Sequence, residues 1–225
     1  MPRQPSACMC RRTGQLPKKT AKISLREEWT SQLKEWHAHR PTELRAPASQ
    51  SSGPTWLRNA LIRSNLNATD RAMAWAAICL GFFACLRASE YTSTTATTMS
   101  DGGLRTNDLS ITPQAIQVTI KKSKTDQLGK GHSVRLTTTN STVCPVRAMH
   151  TYLSRRPNLP NRPLVIESCG NFLAAQRLTR LIRQLLSSPG YPPNQYPLRG
   201  LRAGPATTGA LSGFTESEIM KLGRW

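Results

Sequence analysis

The feature that most constrains the fold is an uninterrupted apolar run of 15 residues from Ala72 to Leu86. A membrane-spanning helix needs about 18 or more consecutive apolar residues, so this run is too short to span a bilayer. We interpret it as a buried helix over 71–86 that begins at Asp70, a residue type that caps helices. A chain of 225 residues can bury such a helix in one sizeable domain with an extension.

A second pattern predicts a small β-hairpin. Ile116, Val118 and Ile120 alternate with polar residues, which is typical of a strand with one buried face. A turn-rich segment follows, and a second strand is expected around Val134 and Leu136.

The remaining elements are predicted to be helical. Apolar spacing and capping residues place helices at 24–40, at 56–64, from Cys144-Pro145 onward, at 172–187, and from a Thr215–Glu218 capping box to Gly223. In 172–187 the inward positions are Leu178, Leu181, Ile182, Leu185 and Leu186. The order of the elements, in which helices are followed by a hairpin and then by further helices, predicts a mostly α fold with a small antiparallel β-sheet, in the α+β class.

Charge indicates the class of partner. The chain carries 31 Lys and Arg against 12 Asp and Glu, a net charge of +19. The excess is +6 over 1–50, +4 over 116–136 and +8 over 137–225, but only +1 over 51–115. Few acidic neighbours are available to these cations, so we expect a polyanionic partner, nucleic acid first. An anionic membrane is the weaker alternative, because no basic amphipathic helix with a large aromatic face is present.

The sequence lacks the motifs of several function classes. No glycine-rich phosphate loop follows a strand, no HExxH motif exists, the four His are scattered, and the six Cys show no metal spacing. We therefore predict no metal, no cofactor and no small-molecule substrate. The first 20 residues lack the apolar core of a secretory signal. We expect an intracellular protein without a membrane segment, located in the nucleus if the source is eukaryotic.

Basic residues stand out in three short segments. These are LRASE at 86–90, SKTD at 123–126, and RGLRAGPATT at 199–208 with LGRW at 222–225. Each has a simple structural interpretation when taken alone. Arg87 and Glu90 would form a buried ion pair, Lys124 would be a solvated turn charge, and Arg199 and Arg202 would lie on a helix surface.

Four segments taken together resemble the tyrosine recombinases, a phage-integrase-like family, and most closely those of DIRS and Crypton mobile elements. The segments are GFFACLRASEY (81–91), VTIKKSKTDQLGKG (118–131), CPVRAMHTYL (144–153) and RAGPATTGA…IMKLGRW (202–225). The resemblance implies a catalytic domain over 53–225, preceded in 1–52 by a basic tail, one helix and a linker. It also implies breaking and rejoining of DNA through a 3′-phosphotyrosine, without a cofactor.

The resemblance assigns roles to individual residues. Arg87 matches the family's first catalytic arginine and Glu90 its accompanying acid, Lys124 matches the hairpin lysine, and Arg202 matches the second arginine. Two guanidinium forks suit the oxygens of a phosphodiester under attack, and a lysine can protonate the leaving 5′-oxygen. Arg199 stands where the family has a histidine. An arginine there can hold a phosphate but cannot shuttle a proton near neutral pH.

The C-terminal part of the chain matches the family's motifs less closely than the preceding segments do. Trp225 matches the family's downstream His or Trp position, with Arg224 as an alternative one residue earlier. The family's nucleophilic tyrosine has no counterpart, because all four tyrosines precede Arg202; they are Tyr91, Tyr152, Tyr191 and Tyr196. We therefore expect a C-terminally truncated recombinase fragment that binds DNA and is inactive alone.

Double-stranded DNA is the expected partner, and assembly as a homo-oligomer on DNA stays open. The residues expected to contact DNA are Lys121, Lys122, Lys130, Arg177, Arg180 and Arg183. The alternative is a non-catalytic basic nucleic-acid-binding protein whose arginines are only phosphate contacts. Convergence of Arg87, Lys124 and Arg202 in one cleft would separate the two hypotheses.

Overall fold

The computed structural model describes residues 54–123, 126, 130–139, 141–159, 162–187, 198–211 and 213–225. The helix expected at 24–40 and the rest of 1–52 lie outside the described residues.

The described residues form seven α-helices and one three-stranded antiparallel sheet. In chain order the elements are α1 (Pro54–Arg63), α2 (Ala68–Phe83), α3 (Ala88–Tyr91), a short 3₁₀ turn (Thr106–Asp108), β1 (Leu109–Ile111), β2 (Ala115–Ile120), β3 (His132–Thr137), α4 (Pro145–Leu153), α5 (Ala175–Ser187), α6 (Gly200–Leu211) and α7 (Glu216–Gly223). This is the predicted mostly α fold with a small sheet.

Helix α2 is the centre of the packing, as its apolar sequence predicts. It contacts α1, α3, α4 and α6, and most of its side chains are buried. The predicted cap was wrong: Asn67 begins the helix, because its side-chain oxygen accepts a hydrogen bond from the amide of Asp70 at 2.8 Å. The Asp70 carboxylate instead accepts one from the amide of Ser168 at 2.7 Å. No helix in the described part of the chain is long and apolar enough to cross a membrane.

The predicted hairpin is confirmed, and the sheet contains one strand more than predicted. Strand β2 pairs with β3 in a register that sets Val118 opposite Val134 and Ile116 opposite Leu136. These four side chains are buried, so the alternating apolar residues lie on the core face. Strand β1, which pairs with the other edge of β2, has only three residues and carries too short a pattern to be predicted.

The later helices follow their sequence signals closely. Cys144 caps α4 and Pro145 occupies its first turn, as predicted. The five inward residues predicted for 172–187 are all buried, although α5 begins only at Ala175 because Phe172 pairs with Ile166 in an isolated β-bridge. The capping box between Thr215 and Glu218 begins α7, also as predicted.

The Tyr152 hydroxyl joins α4 to the following loop, and we predict that its removal destabilises the protein. This hydroxyl accepts a hydrogen bond from the Ile166 amide at 2.8 Å and lies 3.0 Å from the Ile166 carbonyl. Tyr152→Phe leaves that buried amide unsatisfied, which costs about 1–3 kcal/mol. Urea unfolding checks this value. The matched control is Tyr91→Phe, whose hydroxyl has no hydrogen-bond partner among the described residues. Equal losses in the two variants would contradict the assignment.

Candidate active site

The candidate site is built where α2 ends. The helix stops at Phe83, and Cys85 then adopts a left-handed backbone conformation with φ of 50°. Residues Ala84 to Leu86 stay buried, so the chain turns inside the protein rather than at its surface. This turn delivers Arg87 to the start of α3, where it is the N-cap residue in an extended conformation.

Glu90, in the short helix α3, is the acid of the site. Its carboxylate is only 3% exposed and accepts three hydrogen bonds. The donors are the Arg87 amide at 2.8 Å, Arg87 Nη1 at 3.2 Å and Arg224 Nη2 at 3.0 Å. A buried carboxylate is tolerated when it is paired and hydrogen-bonded in this way. Glu90 therefore joins α3 to the residue that follows α7.

Arg202 enters the same site from the first turn of α6. Its Nη1 donates to the Cys85 carbonyl at 2.6 Å, and its Nη2 donates to the Gly223 carbonyl. The Trp225 ring lies against the guanidinium, 5.1 Å from centroid to Cζ. A β-carbon at position 223 would overlap that ring, so any other residue there would have to displace Trp225. Arg202 thus bridges the end of α2 and the end of α7.

Electrostatic crowding is visible at Arg202. Burial lowers the pKa of its guanidinium from the usual 12.5 to about 10, and the positive charges of Arg87 and Arg224 add to that lowering. Arg202 is still fully charged at neutral pH. The contacts of Arg87, Arg202 and Arg224 thus place three cations in one confined region, where an anion would be attracted.

The structure distinguishes Arg224 from Trp225, which the sequence left as alternatives. Arg224 has left-handed φ and ψ of 58° and 44°, and its side chain is only 8% exposed. Its Nη2 reaches both Glu90 and the Cys85 carbonyl, the latter at 3.1 Å. Trp225 is 45% exposed and lies over Arg202 instead. Helix α7 ends with Gly223 as its last helical residue, and the left-handed residue that follows it is Arg224.

We refer to Arg87, Arg202 and Arg224, with Glu90 and the Cys85 carbonyl, as the arginine cluster. Arg199 lies outside it: the residue is exposed, and its carbonyl accepts from the amides of Arg202 and Ala203 at the start of α6. Lys124 lies outside the described residues. The structure therefore brings together Arg87 and Arg202, which are two of the three residues whose convergence would separate the two hypotheses. The catalytic roles of these residues stay predictions.

Two of the lysines expected to contact DNA are held by acids. Lys121 Nζ lies 2.6 Å from Asp108, whose side chain is 4% exposed, and Lys122 Nζ lies 2.6 Å from the exposed Asp101. These pairs join the end of β2 to the segment before β1. No sequence pattern predicts these two pairs, because each acid is far from its lysine along the chain.

The other expected DNA contacts are at the surface. Lys130 is exposed beside the hairpin turn, and Arg180 and Arg183 are exposed on α5. Arg177, on the same helix, lies 3.5 Å from Glu167. Their contact with DNA stays a prediction.

The two described tyrosines are unsuited to be nucleophiles. Both are buried; burial raises the pKa of Tyr91 well above its usual value and that of Tyr152 to about 12. Tyr191 and Tyr196 lie outside the described residues. No group of three or more His, Cys, Asp or Glu in the described part of the chain could hold a metal ion.

We predict that Glu90→Gln destabilises the protein strongly. The amide keeps the shape of the side chain but leaves Arg87 and Arg224 without their buried counter-charge, which costs about 3–5 kcal/mol. Urea unfolding followed by circular dichroism measures the change. The control is Glu216→Gln, an exposed acid in the first turn of α7, where we expect a loss below about 1 kcal/mol. A similar loss in both variants would refute a structural role for the buried carboxylate.

No protein-family model and no curated protein matches the sequence. Solved structures do match. The XerH site-specific recombinase bound to its difH substrate, in a pre-cleavage complex, has a TM-score of 0.57 at 16% identity, covering 75% of this chain and 44% of that chain. FLP recombinase in a Holliday junction complex has a TM-score of 0.53 at 12% identity, covering 88% of this chain and 46% of that chain.

The chain thus spans less than half the length of these two structural neighbours. Similarity at this level of identity concerns the fold. The described residues have the catalytic-domain fold of site-specific recombinases, which is the fold that the resemblance implied.

Proposed function

We propose that residues 53–225 provide the phosphate-binding core of a tyrosine recombinase catalytic domain that acts on double-stranded DNA. The observation that carries the proposal is the arginine cluster, in which two guanidiniums, those of Arg87 and Arg224, bind one buried acid, and Arg202 binds the Cys85 carbonyl that Arg224 also binds. Arg87 and Arg202, the two arginines matched by resemblance, are both members.

The charge of the cluster suits a phosphodiester. Three arginines and one glutamate leave two positive charges in excess among the cluster's own side chains. A phosphodiester carries one negative charge, and its pentavalent transition state develops a second. Fixed guanidinium donors in a confined site are worth more in that transition state than in water, and losing one such donor typically costs about 100- to 1,000-fold in rate.

The proposed reaction is a transesterification. A tyrosine oxygen forms a bond to phosphorus, the bond from phosphorus to the 5′-oxygen breaks, and the tyrosine proton is lost. Arg87 and Arg202 hold the non-bridging oxygens, while Lys124 gives a proton to the departing 5′-oxygen. The resulting 3′-phosphotyrosine keeps the bond energy for rejoining, so no nucleotide is consumed.

In our proposal this sequence supplies the cluster but not the nucleophile. All four of its tyrosines precede Arg202, and the two described ones are buried. The DIRS- and Crypton-like motifs favour a mobile-element recombinase. It would assemble as a homo-oligomer on DNA, in the nucleus of a eukaryotic cell. Both structural neighbours named above were solved as complexes, one with its difH substrate and one with a Holliday junction, which supports DNA as the substrate class.

We predict that Arg202→Ala weakens DNA binding and makes it less salt-dependent. Each phosphate neutralised contributes about −0.9 to the slope of log affinity against log salt, so the slope should become shallower by about that amount. Anisotropy of a labelled duplex over a salt series measures it. Arg155→Ala is the control, because this exposed arginine follows α4 and bonds to the Thr151 carbonyl in the last turn of that helix, apart from the cluster. Equal changes in the two variants would favour the non-catalytic alternative.

We also predict that the chain forms no covalent adduct with a nicked suicide duplex, although it binds that duplex. A denaturing gel detects an adduct, since the phosphotyrosine bond survives denaturation. The control is the same incubation with all four tyrosines changed to Phe. An adduct that persists in this quadruple variant would overturn the proposed chemistry, and one that disappears would show that a tyrosine of this sequence is the nucleophile.

A further inference from the structure

We infer that the left-handed backbone of Cys85 is a positioning device for the arginine cluster. Its carbonyl orients Arg202 and Arg224 toward a bound phosphate without neutralising either guanidinium. The inference rests on the proposed function and names a positioning residue that the family resemblance did not include.

The geometry at the end of α2 supports this role. The Ala84 amide donates to the Leu80 carbonyl at 3.1 Å, and the Cys85 amide donates to the Phe82 carbonyl at 3.2 Å. The backbone hydrogen bonding of the helix therefore ends at Cys85. The positive φ of Cys85 then turns its carbonyl out of the helical direction. That oxygen accepts from Arg202 Nη1 at 2.6 Å and from Arg224 Nη2 at 3.1 Å.

A left-handed cysteine is an unusual choice for a turn. The β-carbon of an L-residue crowds the backbone at positive φ, so such positions are usually filled by glycine or by Asn and Asp. Strained residues of this kind persist where the surroundings hold them in place, and they concentrate at functional sites. The Cys85 side chain is buried, with Sγ 3.8 Å from the Phe82 carbonyl. Packing therefore holds the side chain while the carbonyl faces the arginines.

The second observation is independent of Cys85 itself. Only two non-glycine residues in the described part of the chain have positive φ, namely Cys85 and Arg224. They are 139 positions apart in the sequence, yet the guanidinium of one donates to the carbonyl of the other. Both strained positions of the described chain thus belong to the same cluster.

A carbonyl serves this purpose better than a second acid would. Glu90 already cancels one positive charge, and another carboxylate at the Cys85 oxygen would cancel a second. A neutral carbonyl dipole fixes the direction of the guanidiniums and leaves their charge available for a phosphate. Holding donors before the ligand arrives avoids the cost of ordering them during binding.

The test compares substitutions at two buried cysteines of the same segment. Cys85→Val places a β-branched residue at positive φ, which turns the carbonyl away, whereas Cys85→Gly keeps the carbonyl and accepts the conformation without strain. Cys79→Val is the matched control: Cys79 is equally buried but lies inside helix α2. Each variant of the full chain is titrated with a labelled DNA duplex over a salt series.

We expect Cys85→Val to lose about 10- to 100-fold in DNA affinity, the equivalent of a lost charge-assisted hydrogen bond, and its salt slope to become shallower by about 0.9. Cys79→Val should stay within about 2-fold of the original chain, and Cys85→Gly should lose clearly less affinity than Cys85→Val. If Cys85→Val does not fold, Cys85→Ala replaces it, because it retains the β-carbon but loses the buried sulfur. We expect Cys85→Ala to bind about 3- to 10-fold more weakly than Cys85→Gly.

A spectroscopic measurement separates positioning from general destabilisation. The Trp225 indole lies over Arg202, so its indole N–H resonance, assigned by its loss in Trp225→Phe, reports on the orientation of that guanidinium. We expect this resonance to shift in Cys85→Val but not in Cys79→Val.

Two outcomes would overturn the inference. One is that Cys85→Gly loses as much affinity as Cys85→Val, since the side chain and not the carbonyl would then matter. The other is that Cys85→Val keeps the original affinity and the original Trp225 resonance. If Arg202→Ala still makes the salt slope shallower in that case, the proposed function stands and only the role of Cys85 is lost. An unchanged slope in Arg202→Ala itself would overturn the proposed function.

Discussion

The buried carboxylate of Glu90 is the interaction on which the rest of the site depends. It connects α3, which follows the central helix directly, to Arg224, which lies 134 residues later in the sequence. Removing a carboxylate from water costs several kcal/mol, which is recovered only through well-placed partners. The fold therefore requires arginines at this point for its own stability. The same requirement gathers the cations that a phosphate would bind, so stability and the proposed function depend on one set of contacts.

The cluster contains more positive charge than its stability requires. Glu90 can balance one guanidinium, and the other two lie near each other with backbone carbonyls as acceptors. Burial is the main cause of the lowered pKa of Arg202, to which Arg87 and Arg224 add their electrostatic repulsion. A bound phosphate would relieve it, because a ligand that binds only the folded state adds to stability. The charge balance of the cluster thus favours an anionic ligand.

The sequence was sufficient wherever a side-chain pattern is local and repeated. The alternation at Ile116 to Ile120 and the inward leucines of α5 predicted their elements, and Arg87 with Glu90, three residues apart, predicted an ion pair that the structure contains. It was insufficient where the outcome depends on backbone turns or on distant partners. Nothing local indicates that Cys85 becomes left-handed, or that Arg224 becomes left-handed after α7 and enters the site.

The hairpin illustrates how counting charge along the chain can mislead. The window 116–136 has a net charge of +4 in the sequence, and this excess suggested a DNA-contacting hairpin. In the fold, Asp108 and Asp101 lie outside that window yet pair with Lys121 and Lys122, which lowers the local excess from four to two. These two lysines are therefore better placed to fix the base of the hairpin than to attract DNA. Within the described residues, the cations confined with too few acids are those of the arginine cluster, so the argument for phosphate binding rests there rather than on the total charge.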